Sequence, residues 1–186
     1  MKTVNFIHMA NGTKQDYEFL AEQEEAYVER LPDRILAALE KLNDSFAGYQ
    51  VSRLEHSLQS ATRAYQDGRS TDYVVAALLH DIGDELAPYS HSEMAAAILR
   101  PYVSERIYWI IKTHGVFQMF YYAHHVGEDQ HARNRFADHR WFDDAVEFCE
   151  LYDQNCFDPS YKSKSLEFFT PMIRQVFSRK PAFAGG

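Results

Sequence analysis

The 186-residue sequence predicts an all-α fold, a compact single domain of roughly seven to nine helices. Three observations carry that expectation. Apolar residues recur at helical spacing along almost the whole chain, and no segment alternates apolar and polar residues as a half-buried strand would. Apolar residues make up 46% of the chain and charged residues 25%, the balance of a globular core, and a chain of this length favours one core over two. The domain is expected to span 1–186, with its chemistry-bearing core within 48–158.

Each element has a local reason. MKTVNFIHMANG (1–12) lacks helical periodicity and reads as irregular or as a short edge segment. TKQDYEFLAEQEEA (13–26) opens on Thr13 with Asp16 placed for a capping box, giving a helix with an acidic outer face. LPDRILAALEKLNDSF (31–46) sets Pro32 where a helix can start and aligns Ile35, Leu36, Leu39 and Leu42 on one stripe, and residues 43–49 then break the pattern with Asn, Asp and Gly48. VSRLEHSLQSATRAYQ (51–66) carries Leu54, Leu58, Ala61 and Tyr65 on one face, and turns His56 away from it toward Ser60 and Arg63.

A turn at DGR (67–69) and a cap at Ser70 or Thr71 lead into YVVAALLHDIG (73–83), which is apolar nearly all round and so is expected to be buried on every side. Gly83 would end or bend it at the His80–Asp81 pair. HSEMAAAILRPYV (91–103) is interrupted at Pro101, and SERIYWIIKTHG (104–115) is expected to run from a Ser104 cap to an end near His114 and Gly115. VFQMFYYAHHVG (116–127), HRWFDDAVEFCELYDQNCFDP (139–159) and SLEFFTPMIRQVF (165–177) complete the helices. The tail, 179–186, is expected to fray.

Composition narrows the function. The formal charge is −8, so the basic face of a nucleic-acid binder is missing, and the nearest basic stretch, HARNRF (131–136), is flanked by GEDQ and DDAVE and reads as a solvated mixed-charge surface. No apolar run resembles a signal peptide or reaches the length of a membrane span, which points to a cytoplasmic protein. Cys149 and Cys156, spaced i, i+7, are expected to be reduced and structural. The oligomeric state is left open.

Chemistry concentrates in His56, His80, Asp81, His91, His114 and Asp153. Imidazole and carboxylate donors together suit Fe, Mn, Zn, Co or Ni. Neighbouring helical residues project about 100° apart, so His80 and Asp81 can address different sides of one ion, or Asp81 can bridge two. Placing this pair at the end of a buried helix requires compensation for the charge.

The ordered stretches LEHSLQ (54–59), LLHDIGD (78–84), YSHSEMAA (89–96), KTHG (112–115) and YDQ (152–154) resemble the HD-domain superfamily. They are more closely similar to its oxygenase branch, which includes the phosphonate-cleaving PhnZ and TmpB enzymes and, more distantly, myo-inositol oxygenase. The resemblance implies two iron ions in a mixed-valent Fe(II)/Fe(III) pair. One would be held by His56, His80, Asp81 and Asp153 and the other by His91 and His114, with Asp81 as bridge, making His80 and Asp81 the catalytic pair. It further implies O2 and a small-molecule substrate as partners, and oxidative C–P or C–C cleavage of a hydroxylated compound. The main rival is a metal-dependent phosphohydrolase acting on a nucleotide or another phosphomonoester, with Mn or Co in place of iron.

The relatives carry basic residues where this chain has Asp84, Gln118 and Glu150, so an anionic substrate would need other donors; Arg133, Arg135, His124 and His125 are the candidates. They also carry a carboxylate where this chain has Tyr49. With Phe117, Phe120, Tyr121 or Tyr122, Tyr49 could form an aromatic cage for a quaternary ammonium head.

Overall fold

Side-chain caps open five of the eight α-helices in the computed structural model, which describes residues 2–44 and 47–182. Thr13 caps α1 (Lys14–Glu29) through the expected capping box: its hydroxyl accepts from the Asp16 N–H, and the Asp16 carboxylate accepts from the Thr13 N–H. This helix buries none of its residues and lies on α2 (Leu31–Lys41), which begins with Pro32 in its first turn and buries Ile35 and Leu39. As the break expected from Asn43 onward implies, α2 gives way to a 3-10 turn at Leu42–Asp44; Ser45 and Phe46 lie outside the described residues.

Ser52 caps α3 (Arg53–Gln66), whose far end is closed by Gly68 at φ +70°. There the Gly68 N–H donates to the Tyr65 carbonyl and the Arg69 N–H to the Ala64 carbonyl, a Schellman closure that satisfies carbonyls the helix leaves over. Ser70 then caps α4 (Thr71–Leu79), in which every residue from Tyr73 to Leu79 is buried. The all-apolar pattern is explained by its place, since α3, α6 (Glu105–Tyr122) and α8 (Leu166–Phe177) all pack against α4. α5 (His91–Leu99) stops before Pro101 and pairs with α6; α7 (Phe142–Tyr152) lies against α6 and α3. Short 3-10 turns occur at Met9–Asn11, Ala123–His125 and Ala132–Phe136, and no strand occurs among the described residues. Within the expected frayed tail, Arg179 pairs with Asp72 at 2.7 Å and the Ala182 N–H donates to the Pro101 carbonyl at 2.8 Å, while 183–186 lie outside the described residues.

The helix expected over 139–159 is confined to Phe142–Tyr152, and the break expected near Gly115 is absent. α6 does not end near Gly115 but runs on to Tyr122, joining two segments read as separate. Gly115 is there for packing: a Cβ on it would sit 2.8 Å from Ser92 Oγ and 3.7 Å from His91 Nε2. Gly83 serves the same neighbour, because its Cβ would lie 2.6 Å from the His91 carbonyl oxygen and 2.7 Å from the His91 Cα. Both glycines clear the space in which α5 presents His91.

Gly83→Ala must therefore push the start of α5 away. It should destabilise the fold by about 1–3 kcal/mol in denaturant unfolding and lower the protein's capacity for metal. An unfolding midpoint and metal content equal to wild type would show that the turn before α5 has slack this packing does not suggest.

Candidate metal centre

Three helices and the ends of two others deliver the six donor residues. His56 projects from the first turn of α3, His91 is the first residue of α5, His114 lies mid-way along α6, and Asp153 follows the last residue of α7. α4 ends at Leu79, so His80 and Asp81 occupy the loosened turn just beyond it. His56, His80, Asp81, His114 and Asp153 are buried; the His91 side chain keeps 25% of its surface exposed.

The donors converge on Asp81 from two sides. Asp81 Oδ2 lies 3.4 Å from both His56 Nε2 and His80 Nε2, whereas Oδ1 lies 3.3 Å from His114 Nε2 and 3.5 Å from His91 Nε2. Asp153 Oδ1 joins the first group, 3.4 Å from His56 Nε2 and 3.8 Å from His80 Nε2. Three overlapping donor groups capable of holding an ion follow: His56–His80–Asp81, His80–His114–Asp153 and Asp81–His91–His114.

The surroundings fix each imidazole with Nε2 inward. His80 Nδ1 meets the Ala77 carbonyl at 2.7 Å, His114 Nδ1 the Ile111 carbonyl at 2.7 Å, and His56 Nδ1 the Cys156 carbonyl at 3.0 Å. An acceptor at Nδ1 calls for the proton there and leaves the Nε2 lone pair for an ion, the arrangement metal-binding histidines adopt. His91 Nδ1 stands between the Pro88 carbonyl and Asp84 Oδ1, each 3.4 Å away.

This donor set fits metal. His56 Nε2 and His80 Nε2 are only 3.0 Å apart, so two lone pairs face each other, and the buried Asp153 Oδ2 has no hydrogen-bond partner among the described residues. Both features call for a cation between the side chains. Without one, protons take that part. Burial disfavours a charged His56, yet Asp153 and Asp81 outweigh it and lift its pKa to about 9. Burial likewise opposes ionisation of Asp81 and Asp153, but the surrounding imidazoles hold Asp81 well below the usual carboxylate range and Asp153 below it.

A cleft of about 270 Å³, at the low end for ligand sites, opens on the His91 side of this centre. Its lining includes Asp81, His91, His114, Asp153, Tyr49, Arg53, Gln118, Tyr121, Tyr122, Gln154 and Phe157. His114, Gln118, Tyr121 and Tyr122 share one face of α6 through i+4, i+7 and i+8 spacing. Gln118 Nε2 donates to Asp153 Oδ1 at 2.9 Å, so its amide braces a metal-facing carboxylate. Tyr49 stacks on Phe157, which stacks on the His56 ring.

Other residues considered from sequence lie elsewhere. Asp84 is not part of the cleft lining: its carboxylate ties Arg53 Nε, at 2.9 Å, to His91 Nδ1, and burial first, then the Asp81 charge, raises its pKa. His124 and His125 are exposed in a 3-10 turn, their rings in contact at a tilt of 41°. Arg133 lies over the Phe120 ring, and Arg135 borders an adjoining groove with Trp109 and Phe136 that shares His91, Gly115 and Tyr122 with the cleft. Phe117 is in the core against Trp109. The free thiols Cys149 and Cys156 are buried, which pushes their pKa values up, Cys156 to about 12, and leaves them poor nucleophiles.

Arg53 was missed by sequence reasoning. It sits one helical turn before His56, a spacing that places both on one face of α3, and that spacing was the available signal.

Comparison with known proteins agrees with this arrangement. The sequence model of the HD domain matches residues 53–141, a stretch that contains every donor residue except Asp153. Over 83 residues the chain is 31% identical to the [1-hydroxy-2-(trimethylamino)ethyl]phosphonate dioxygenase (glycine-betaine-forming) of Leisingera caerulea. That match covers 39% of this chain and 42% of the relative, so less than half of the relative's length is represented. No helix among the described residues is long and apolar enough to cross a membrane. From the matched segment and the paired His80–Asp81 at the heart of a cluster able to hold metal ions, residues 53–141 are an HD domain.

Proposed function

We propose that this HD-domain chain is a non-haem dinuclear iron oxygenase that uses O2 to cleave the C–P bond of a small hydroxylated phosphonate. The observation that carries the reading is the division of Asp81: one carboxylate oxygen faces His56 and His80, the other His91 and His114. A carboxylate so placed would be able to bridge two ions, and the dioxygenase relative suggests the reaction class. Iron held by His56, His80, Asp81 and Asp153 on one side and by Asp81, His91 and His114 on the other would supply redox chemistry with O2 and a Lewis-acidic anchor for the substrate hydroxyl.

The chain's own residues shape the rest. His91 is the partly exposed donor, so its side of the centre faces the cleft where substrate and O2 would arrive. Buried α4 closes the opposite side and keeps bulk water out. Gln118 holds Asp153 in place. Tyr49, Tyr121, Tyr122 and Phe157 give the cleft aromatic walls, which suit a quaternary ammonium head. Cleavage of a 1-hydroxyphosphonate by one O2 balances without another reductant: the carbon becomes a carboxylate, phosphorus leaves as phosphate, and both O2 oxygens end in the products.

Protein grown with iron should contain well over one iron per chain and show a mixed-valent EPR signal after partial reduction in air. Hydroxyphosphonates should drive O2 uptake with phosphate release. Phosphate release that persists anaerobically with Mn or Co would instead establish hydrolysis. Asp81→Asn should lose most of the metal by elemental analysis, because it weakens both halves of the centre at once; unchanged metal content would remove the bridging role.

A further inference from the structure

Resting on the function proposed above, we infer that Arg53 is the substrate's anion anchor, the specificity-determining residue that receives the phosphonate oxygens. The cleft needs a cation for such a group, and Arg53 is the lysine or arginine in its lining. Arg133 and Arg135 are engaged elsewhere, on Phe120 and beside Phe136.

Arg53 is held ready for this role. Asp84 takes its Nε side at 2.9 Å, Nη1 lies 3.4 Å from Asp81 Oδ2, and the guanidinium carbon rests 5.2 Å from the centre of the Tyr49 ring. Its side chain is only 16% exposed. A guanidinium presents its N–H donors in a rigid planar fork, a shape that matches the oxygens of a phosphonate. Asp81 is also the residue the ions would claim. An anion at Arg53 is thereby brought beside the centre that would act on the adjacent carbon.

The α6 wall reinforces this orientation. The Gln118 amide must turn its nitrogen toward Asp153, since a carboxylate can only accept, and that leaves Oε1, buried and unpartnered, as the atom offered on that side. A bare carbonyl oxygen repels an anion and accepts from a hydroxyl or ammonium. The cleft is therefore polarised, with the anionic end of the substrate at α3 and its hydrogen-bond donors at α6. Asp84 is a positioning residue: it aims Arg53 and is not itself a substrate contact.

The test is binding of methylphosphonate to the metal-loaded protein by titration calorimetry, for wild type, Arg53→Lys and Arg53→Gln, with metal content measured on each. Wild type should bind methylphosphonate with an affinity that falls as salt rises. Arg53→Gln should bind at least roughly tenfold more weakly with a flatter salt dependence, and Arg53→Lys, which keeps the charge but loses the fork, should fall between. If Arg53→Gln retains its metal and binds methylphosphonate as tightly as wild type, or if wild type does not bind it, the assignment of Arg53 is wrong. O2 uptake with hydroxyphosphonates separates the two claims. Uptake by wild type together with Arg53-independent binding overturns the anchor alone, and Arg53-dependent binding without uptake overturns the oxygenase reading while supporting the anchor.

Discussion

A carboxylate buried at the end of an apolar helix dominates this structure. Asp81 leaves the most enclosed element of the fold, α4, at a depth where an ionised group is costly unless it is matched by charge or by metal. The match is supplied by imidazoles from three other helices and from its neighbour His80, with Arg53 at its outer edge. α3, α5 and α6 are thus bound to α4 through one residue as well as through apolar packing, and α7 adds Asp153 to the same centre. The order of the helices makes sense as the set of segments needed to surround one side chain.

A second layer decides how well the first is aimed. Carbonyls at Ala77, Ile111 and Cys156 fix three of the histidine rings, and the last of these depends on the loop after α7 being fastened to α3. That fastening is explicit: Gln59 Nε2 donates to the Asp158 carbonyl, Gln59 Oε1 accepts from the Asp158 N–H, and Arg63 donates to the Asn155 carbonyl. Tyr152, directly before Asp153, donates to Asp67 and accepts from Arg69, which anchors the end of α7 to the α3–α4 turn. His91 lacks such a tight anchor and relies on Asp84 and on the space left by Gly83 and Gly115. The looser, partly exposed histidine is on the side where a ligand can approach.

Much of this was legible in the sequence. The capping residues Thr13, Ser70 and Ser104, the apolar surround of α4 and the ordered histidine and aspartate stretches each carry a local physical signal, and the structure brings those six side chains together. What was not legible depends on contacts between distant segments. Gly115 looks like a helix end until α5 is seen against it. Asp84 looks like a cleft residue until its carboxylate is found behind His91. Exposed His124 and His125 cannot be told from ligand contacts by residue type. Arg53 went unnoticed because an arginine in a first helical turn is ordinary until Asp84 and Tyr49 are placed around it.

The central claim is that Asp81 joins two metal ions. Crystals of iron-loaded protein, measured with anomalous scattering on both sides of the iron absorption edge, test it most directly. The account predicts two iron peaks, one among His56, His80 and Asp153 and one between His91 and His114, with an Asp81 oxygen toward each. A single peak, or two peaks that do not share Asp81, would contradict it.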